Sequence, residues 1–103
     1  MGDAAMSLKD MQAELLAFRD ARDWRKYHTP EALARAIAVE AGELNELFLW
    51  DREFSTAMVA SELADVMIYC LNLCNALGLD AEWSIHAKMA ENARRPVRGD
   101  GFA

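Results

Sequence analysis

The 103 residues read as an all-α protein, a four-helix bundle built as one domain. Three observations predict this. Apolar residues recur at helical spacing, as in Leu8, Met11, Leu15 and Phe18. Each such segment is bracketed by helix start and stop residues. No stretch alternates apolar and polar residues between turn signals, as a half-buried strand would.

The first helix opens at Ser7, an N-cap residue, and covers LKDMQAELLAFRDARDW. His28-Thr29-Pro30-Glu31 opens the second. Thr29 suits the N-cap, Pro30 the first helical position, and Glu31 the positive end of the helix dipole. This helix is expected to run to about Trp50, with Asp51-Arg52-Glu53 turning the chain. Ser55 caps the third, which continues to Gly78, a residue suited to a left-handed C-terminal stop. Asp80 caps the fourth, AEWSIHAKMAENARR, which ends at Pro96. Residues 1–6 and 97–103 read as loose tails. Short connections favour antiparallel neighbours. Beyond Asp65 the third helix is apolar nearly all round, as a central helix or one covered by a second subunit would be. Gly42 lies inside the second helix, where it costs about 1 kcal/mol relative to Ala. Close approach of another group and simple tolerance both account for it.

Composition narrows the function classes. The formal charge is −6, which argues against non-specific nucleic-acid binding, since that needs cations to neutralise phosphates. A nucleotide is not excluded, because bound divalent cations reverse the sign of a local site. Cys70 and Cys74, four apart in an apolar run, are expected to be buried thiols in a reducing compartment. No basic and apolar leader is visible, and the stretch Val66 to Leu79 is interrupted by Asn72 and Asn75 and short for a bilayer. A cytoplasmic protein without a membrane span is expected. A chain this short builds a fuller core as an oligomer.

The acids carry the chemistry. Glu40 and Glu43 share one face of the second helix, and Glu62 and Asp65 repeat that spacing in the third. The pattern is E-x-x-E, an 18-residue gap, then E-x-x-D. An antiparallel hairpin would bring both pairs to similar height. Four carboxylates in an apolar setting repel one another and need a compensating charge. A hard divalent cation, Mg²⁺ foremost, supplies it through oxygen ligands. Solvated faces and salt bridges are the alternative. A di-iron site wants E-x-x-H pairs, whereas His86 follows Glu82 by four and His28 precedes a helix. Glu46, third in the opening file, reads as a surface acid.

These residues resemble the MazG-like all-α nucleoside triphosphate pyrophosphohydrolases, and RDWRKYHTPEALARAIAVEAGELNELFLW with SELADVMIYCLNL resembles their dCTP pyrophosphatase branch. The likeness extends from about Leu8 to Arg95. It implies a MazG-type bundle completed by oligomerisation as a homodimer or homotetramer. It implies Mg²⁺-dependent hydrolysis of a nucleoside triphosphate to monophosphate and pyrophosphate, with dCTP or a modified dCTP the leading substrate, in nucleotide-pool cleaning. Carried over by position, Glu40, Glu43, Glu62 and Asp65 hold the metal, with Glu43 also the candidate base. Trp24, His28, Trp50 and Tyr69 match the base-holding positions, and Lys88, Asn92 and Arg95 match a phosphate-facing segment. Taken without the resemblance, Trp24 and Trp50 pack helix ends, His28 is a turn histidine, and Lys88 and Arg95 are solvated cations. Trp83 is expected to pack and His86 to be structural or solvated. Two positions depart from the pattern: no Tyr precedes Pro96, and Leu15 stands where some relatives carry His. They leave room for a non-catalytic helical module that binds a nucleotide or a protein, and for a structural helical dimer.

Overall fold

The computed structural model describes residues 6–49 and 53–96. Among them the chain forms α1 (Leu8–Ala21), a 3₁₀ turn (Arg25–Tyr27), α2 (Pro30–Leu49), α3 (Thr56–Leu77) and α4 (Ala81–Ala93). No strand occurs among the described residues. The all-α expectation holds. Trp50, the Asp51-Arg52 part of the turn and both expected tails, apart from Met6, lie outside the described residues.

The caps fall where the sequence places them. Ser7 and Asp10 form a capping box, with the Asp10 amide donating to Ser7 Oγ at 3.0 Å and the Ser7 amide to Asp10 Oδ2 at 3.1 Å. The Ala32 amide donates to Thr29 Oγ1, Met58 to Ser55 Oγ and Trp83 to Asp80 Oδ1. Gly78 closes α3 at φ 69°, a backbone conformation that costs glycine least. Two boundaries differ from expectation. Helix α4 ends at Ala93, leaving Arg94 and Arg95 beyond it. Helix α1 stops at Ala21 rather than near Trp24. Asp23 adopts φ 54°, and the Trp24 amide folds back to donate to the Arg19 carbonyl at 3.0 Å. Aspartate tolerates that conformation better than most residues. The reversal lifts Trp24 off the helix and into the 3₁₀ turn.

Helices α2 and α3 form an antiparallel hairpin with the most extensive packing in the chain. Helix α1 lies against α3, and α4 against α1. The core is thin: Leu33, Leu47, Leu71 and Ala81 are its buried apolar residues. A polar clamp joins α1 to the α3–α4 corner. Gln12 Nε2 donates to Asn75 Oδ1 at 3.0 Å and to the Leu79 carbonyl at 2.9 Å. Gln12 Oε1 accepts from the Ala81 amide, and Asn75 Nδ2 donates back to the Gln12 carbonyl, both at 2.9 Å. Among the described residues, no atom beyond its own helix backbone lies within 4 Å of a Cβ built on Gly42, so close approach among them does not explain that glycine.

Two packing expectations are corrected. Cys70 is exposed and Cys74 only half-buried, because both border an open apolar groove beside Leu8, Met67 and Ile85 that no described residue fills. Trp83 is 72% exposed, because α4 packs chiefly on α1 and turns this ring outward. Helix α3 as a whole is long and apolar enough to cross a membrane by length and composition. It carries Glu62 and Asp65 midway, however, and packs against both α1 and α2.

Candidate metal centre and adjoining cavity

Glu40 on α2 and Glu62 and Asp65 on α3 each offer one carboxylate oxygen within 4.8 Å of the others. The hairpin makes this possible, setting the middle of α2 beside the first half of α3. Glu40 and Glu62 are half-buried, and each has its Oε2 sealed from solvent with no hydrogen-bond partner. Sealed polar atoms are nearly always paired in proteins, so two orphaned carboxylate oxygens at one place demand an account. None of the ion pairs among the described residues involves Glu40, Glu62 or Asp65. Burial raises the Glu40 pKa above the ordinary 4.5, helped by a hydrogen bond with the Glu43 side chain and by the charges of Glu43, Asp65 and Glu62. Glu43 therefore stands beside Glu40, exposed at the edge of the three-oxygen cluster rather than within it. The donor set is all carboxylate, which fits a hard divalent cation such as Mg²⁺. Glu46 is exposed and takes no part in the cluster, as the sequence suggested.

Asp65 belongs to a second feature. It lines a cavity of about 180 Å³ together with Leu15, Trp24, His28, Tyr69 and Asn72. Trp24, His28 and Tyr69 also border a larger recess of about 350 Å³ over Leu33 and Ala36. These three rings thus form a wall between two openings. Trp24 is fixed edge-on against Phe18, with centroids 5.7 Å apart, and tilts toward His28 at 6.5 Å. The Arg22 guanidinium sits 3.5 Å above the Phe18 ring centre and holds it from outside. His28 is half-buried with Nδ1 sealed and unpartnered. Burial, then the Arg19 charge, lowers its pKa below 6.5, so the imidazole is neutral at pH 7.

The remaining candidates lie apart within this chain. Lys88 Nζ and Arg95 Nη2 both meet Glu91 Oε1 on α4, at 3.2 and 3.0 Å. Asn92 Oδ1 is sealed without a partner. Neither cavity beside the rings takes a lining residue from α4. Trp50 lies outside the described residues. The structure adds residues that sequence reasoning did not propose for the site, chiefly Asn72, with Phe18 and Arg19. Asn72 had figured only as an interruption of an apolar run. Its spacing, seven after Asp65 and three after Tyr69, was the available signal.

Comparison with known proteins agrees with this geometry. The model of the MazG-like family matches residues 35–101. The chain is 33% identical over 99 residues to dCTP pyrophosphatase 1 of Bos taurus, an alignment covering 86% of this chain and 59% of that protein. Identity to dCTP pyrophosphatase 1 of Homo sapiens is 32% over 99 residues, covering 86% and 58%. The chain thus spans under two thirds of the length of these relatives. A solved pyrophosphatase from Archaeoglobus fulgidus superposes with a TM-score of 0.77 at 34% identity, covering 91% of this chain and 95% of that one.

Proposed function

Given that the chain belongs to the MazG-like family, we propose that it is a nucleoside triphosphate pyrophosphohydrolase that works with a divalent cation, Mg²⁺ foremost. One observation carries the reading: Asp65 is at once a member of the carboxylate cluster and a wall of the aromatic cavity. Phosphate chemistry and base binding thus meet at one side chain.

Glu40, Glu62 and Asp65 would hold the cation, which when bound would neutralise phosphate oxygens and lower the barrier to attack by water. We assign Glu43, exposed beside Glu40, to take a proton from that water. The water forms a new P–O bond as the anhydride bond between the α- and β-phosphorus breaks, and the products are the monophosphate and pyrophosphate. Trp24 and Tyr69 offer ring faces to the base, with Trp50 and His28 assigned to the same subsite. The leading substrate is dCTP or a modified dCTP, supported by the names of the relatives at 32–33% identity. A role in cleaning the nucleotide pool of the cytoplasm follows from that choice.

The assembly we propose is a homodimer or homotetramer. Met58, Met67, Trp83 and Met89 are each about half exposed or more, a loose apolar surface for a folded monomer. Lys88, Asn92 and Arg95 line neither cavity beside the clustered acids, so we assign them to phosphate binding through a neighbouring copy.

Pyrophosphate release from a panel of triphosphates, with and without Mg²⁺ and with Glu62→Gln as control, tests the proposal. Metal-dependent release lost in the variant supports it. A folded protein that binds dCTP with Mg²⁺ but never turns it over would make it a binding module instead.

A further inference from the structure

We propose that Asn72 reads the hydrogen-bonding edge of the substrate base. This rests on the nucleotide reading above and adds the residue that would set base preference. Asn72 is only 8% exposed and lines the cavity beside Trp24 and Tyr69. No hydrogen bond from the described residues reaches its amide, although its neighbour on the same helix, Asn75, is bonded at both ends of its own. An amide without a protein partner that lines a cavity is placed for whatever enters it.

Two other polar groups of that cavity are committed: the Arg19 guanidinium is bonded to Asp20 at 2.9 Å, and Asp65 belongs to the carboxylate cluster. Trp24, His28 and Tyr69 each bring a ring to its wall. Asn72 is left as the amide able to donate and accept side by side, which is what the N3/N4 edge of a cytosine requires. Position favours it as well. Asp65 and Asn72 are seven residues apart on one face of α3, about 10 Å along the axis. A nucleotide with its phosphates at Asp65 extends its base toward Asn72. The cavity, about 180 Å³, is smaller than the roughly 300 Å³ at which drug-sized pockets begin, and suits a single nucleobase. An amide with no internal partner is also free to turn over. It can therefore meet the reversed donor–acceptor order of thymine or uracil, and its reading is of pyrimidines as a class.

The test is calorimetry with dCMP in the absence of metal, on the full chain and on Asn72→Leu, which keeps side-chain volume and removes both polar atoms. Deoxyribose 5-phosphate serves as the baseless control. The expected result is dCMP binding about tenfold or more weaker in the variant, with the baseless control unchanged. The ranking of bases in pyrophosphate release should flatten as well. Asn72→Leu breaks no hydrogen bond among the described residues, so it should fold as the wild type does, and an undiminished melting temperature checks this. Equal dCMP affinity in both proteins, with metal-dependent turnover intact, would overturn the role of Asn72 and leave the enzyme standing. A wild-type chain that neither binds dCMP nor releases pyrophosphate would overturn both.

Discussion

A carboxylate oxygen of Glu40 on α2 comes within 4.8 Å of one from Asp65 on α3, and neither side chain forms an ion pair among the described residues. The fold thus holds like charges together at its own expense, and the first prediction concerns that expense. Glu40 has a raised folded-state pKa. Its contribution to stability is complete below the unfolded value of 4.5 and is lost as pH rises through the folded value. At neutral pH without metal, Glu40→Gln should therefore melt above the wild type, while pyrophosphate release falls by about 100-fold or more. A variant that melts lower and stays active would contradict both halves.

Metal should reverse this order. A ligand bound only by the folded state at one hundred times its Kd adds about 2.7 kcal/mol of stability. Titrating Mg²⁺ into the wild type should raise its melting temperature, and Glu62→Gln should remove most of the rise. Scanning calorimetry in matched buffers reads both.

His28 gives a pH prediction of the opposite sign. Its pKa is lowered by burial and by Arg19, so its contribution is complete above 6.5 and is lost as pH falls from there through the folded value. Between pH 7.5 and 5 the wild type should lose stability relative to His28→Gln. Parallel melting curves across that range would show that the imidazole is not held neutral.

Gly42→Ala should stabilise the chain by about 0.5–1 kcal/mol, since nothing lies within 4 Å of the added Cβ and the glycine conformational cost is removed. If activity drops while stability rises, Gly42 serves approach by substrate or by a second subunit. Urea unfolding set beside pyrophosphate release separates the two.

Gln12→Ala should cost several kcal/mol, since it strands the Ala81 amide, the Leu79 carbonyl and part of the Asn75 amide, each worth about 1–3 kcal/mol when buried without a partner. Hydrogen exchange should show α4 losing protection first. A uniform loss across all helices would mean that the clamp is not local.

The caps at Ser7, Thr29, Ser55 and Asp80 and the stop at Gly78 were legible because each rests on a bond or a backbone angle within a few residues. The acid pairs were legible for a related reason: a hairpin of equal arms maps sequence distance onto height. The early end of α1 was not, because Asp23 gives no sign of φ 54° until the Trp24 amide finds the Arg19 carbonyl. Nor was Asn72, because a polar residue in an apolar run looks like an interruption until the face it shares with Asp65 and Tyr69 is known. Cys70 and Trp83 were expected inside because apolar neighbours suggest burial, and sequence does not say whether one chain alone supplies the cover.

The Gln12 clamp makes the molecule two separable pieces of equipment. All the clustered acids come from the α2–α3 hairpin, while Leu15 and Phe18, on the far wall of the cavity, ride on α1. The clamp sets how far that wall stands from α3 without touching a carboxylate. Substitutions along α1 can thus widen, narrow or re-polarise the chamber while the phosphate end keeps its shape. Such a division lets a lineage change its diet without rebuilding its teeth.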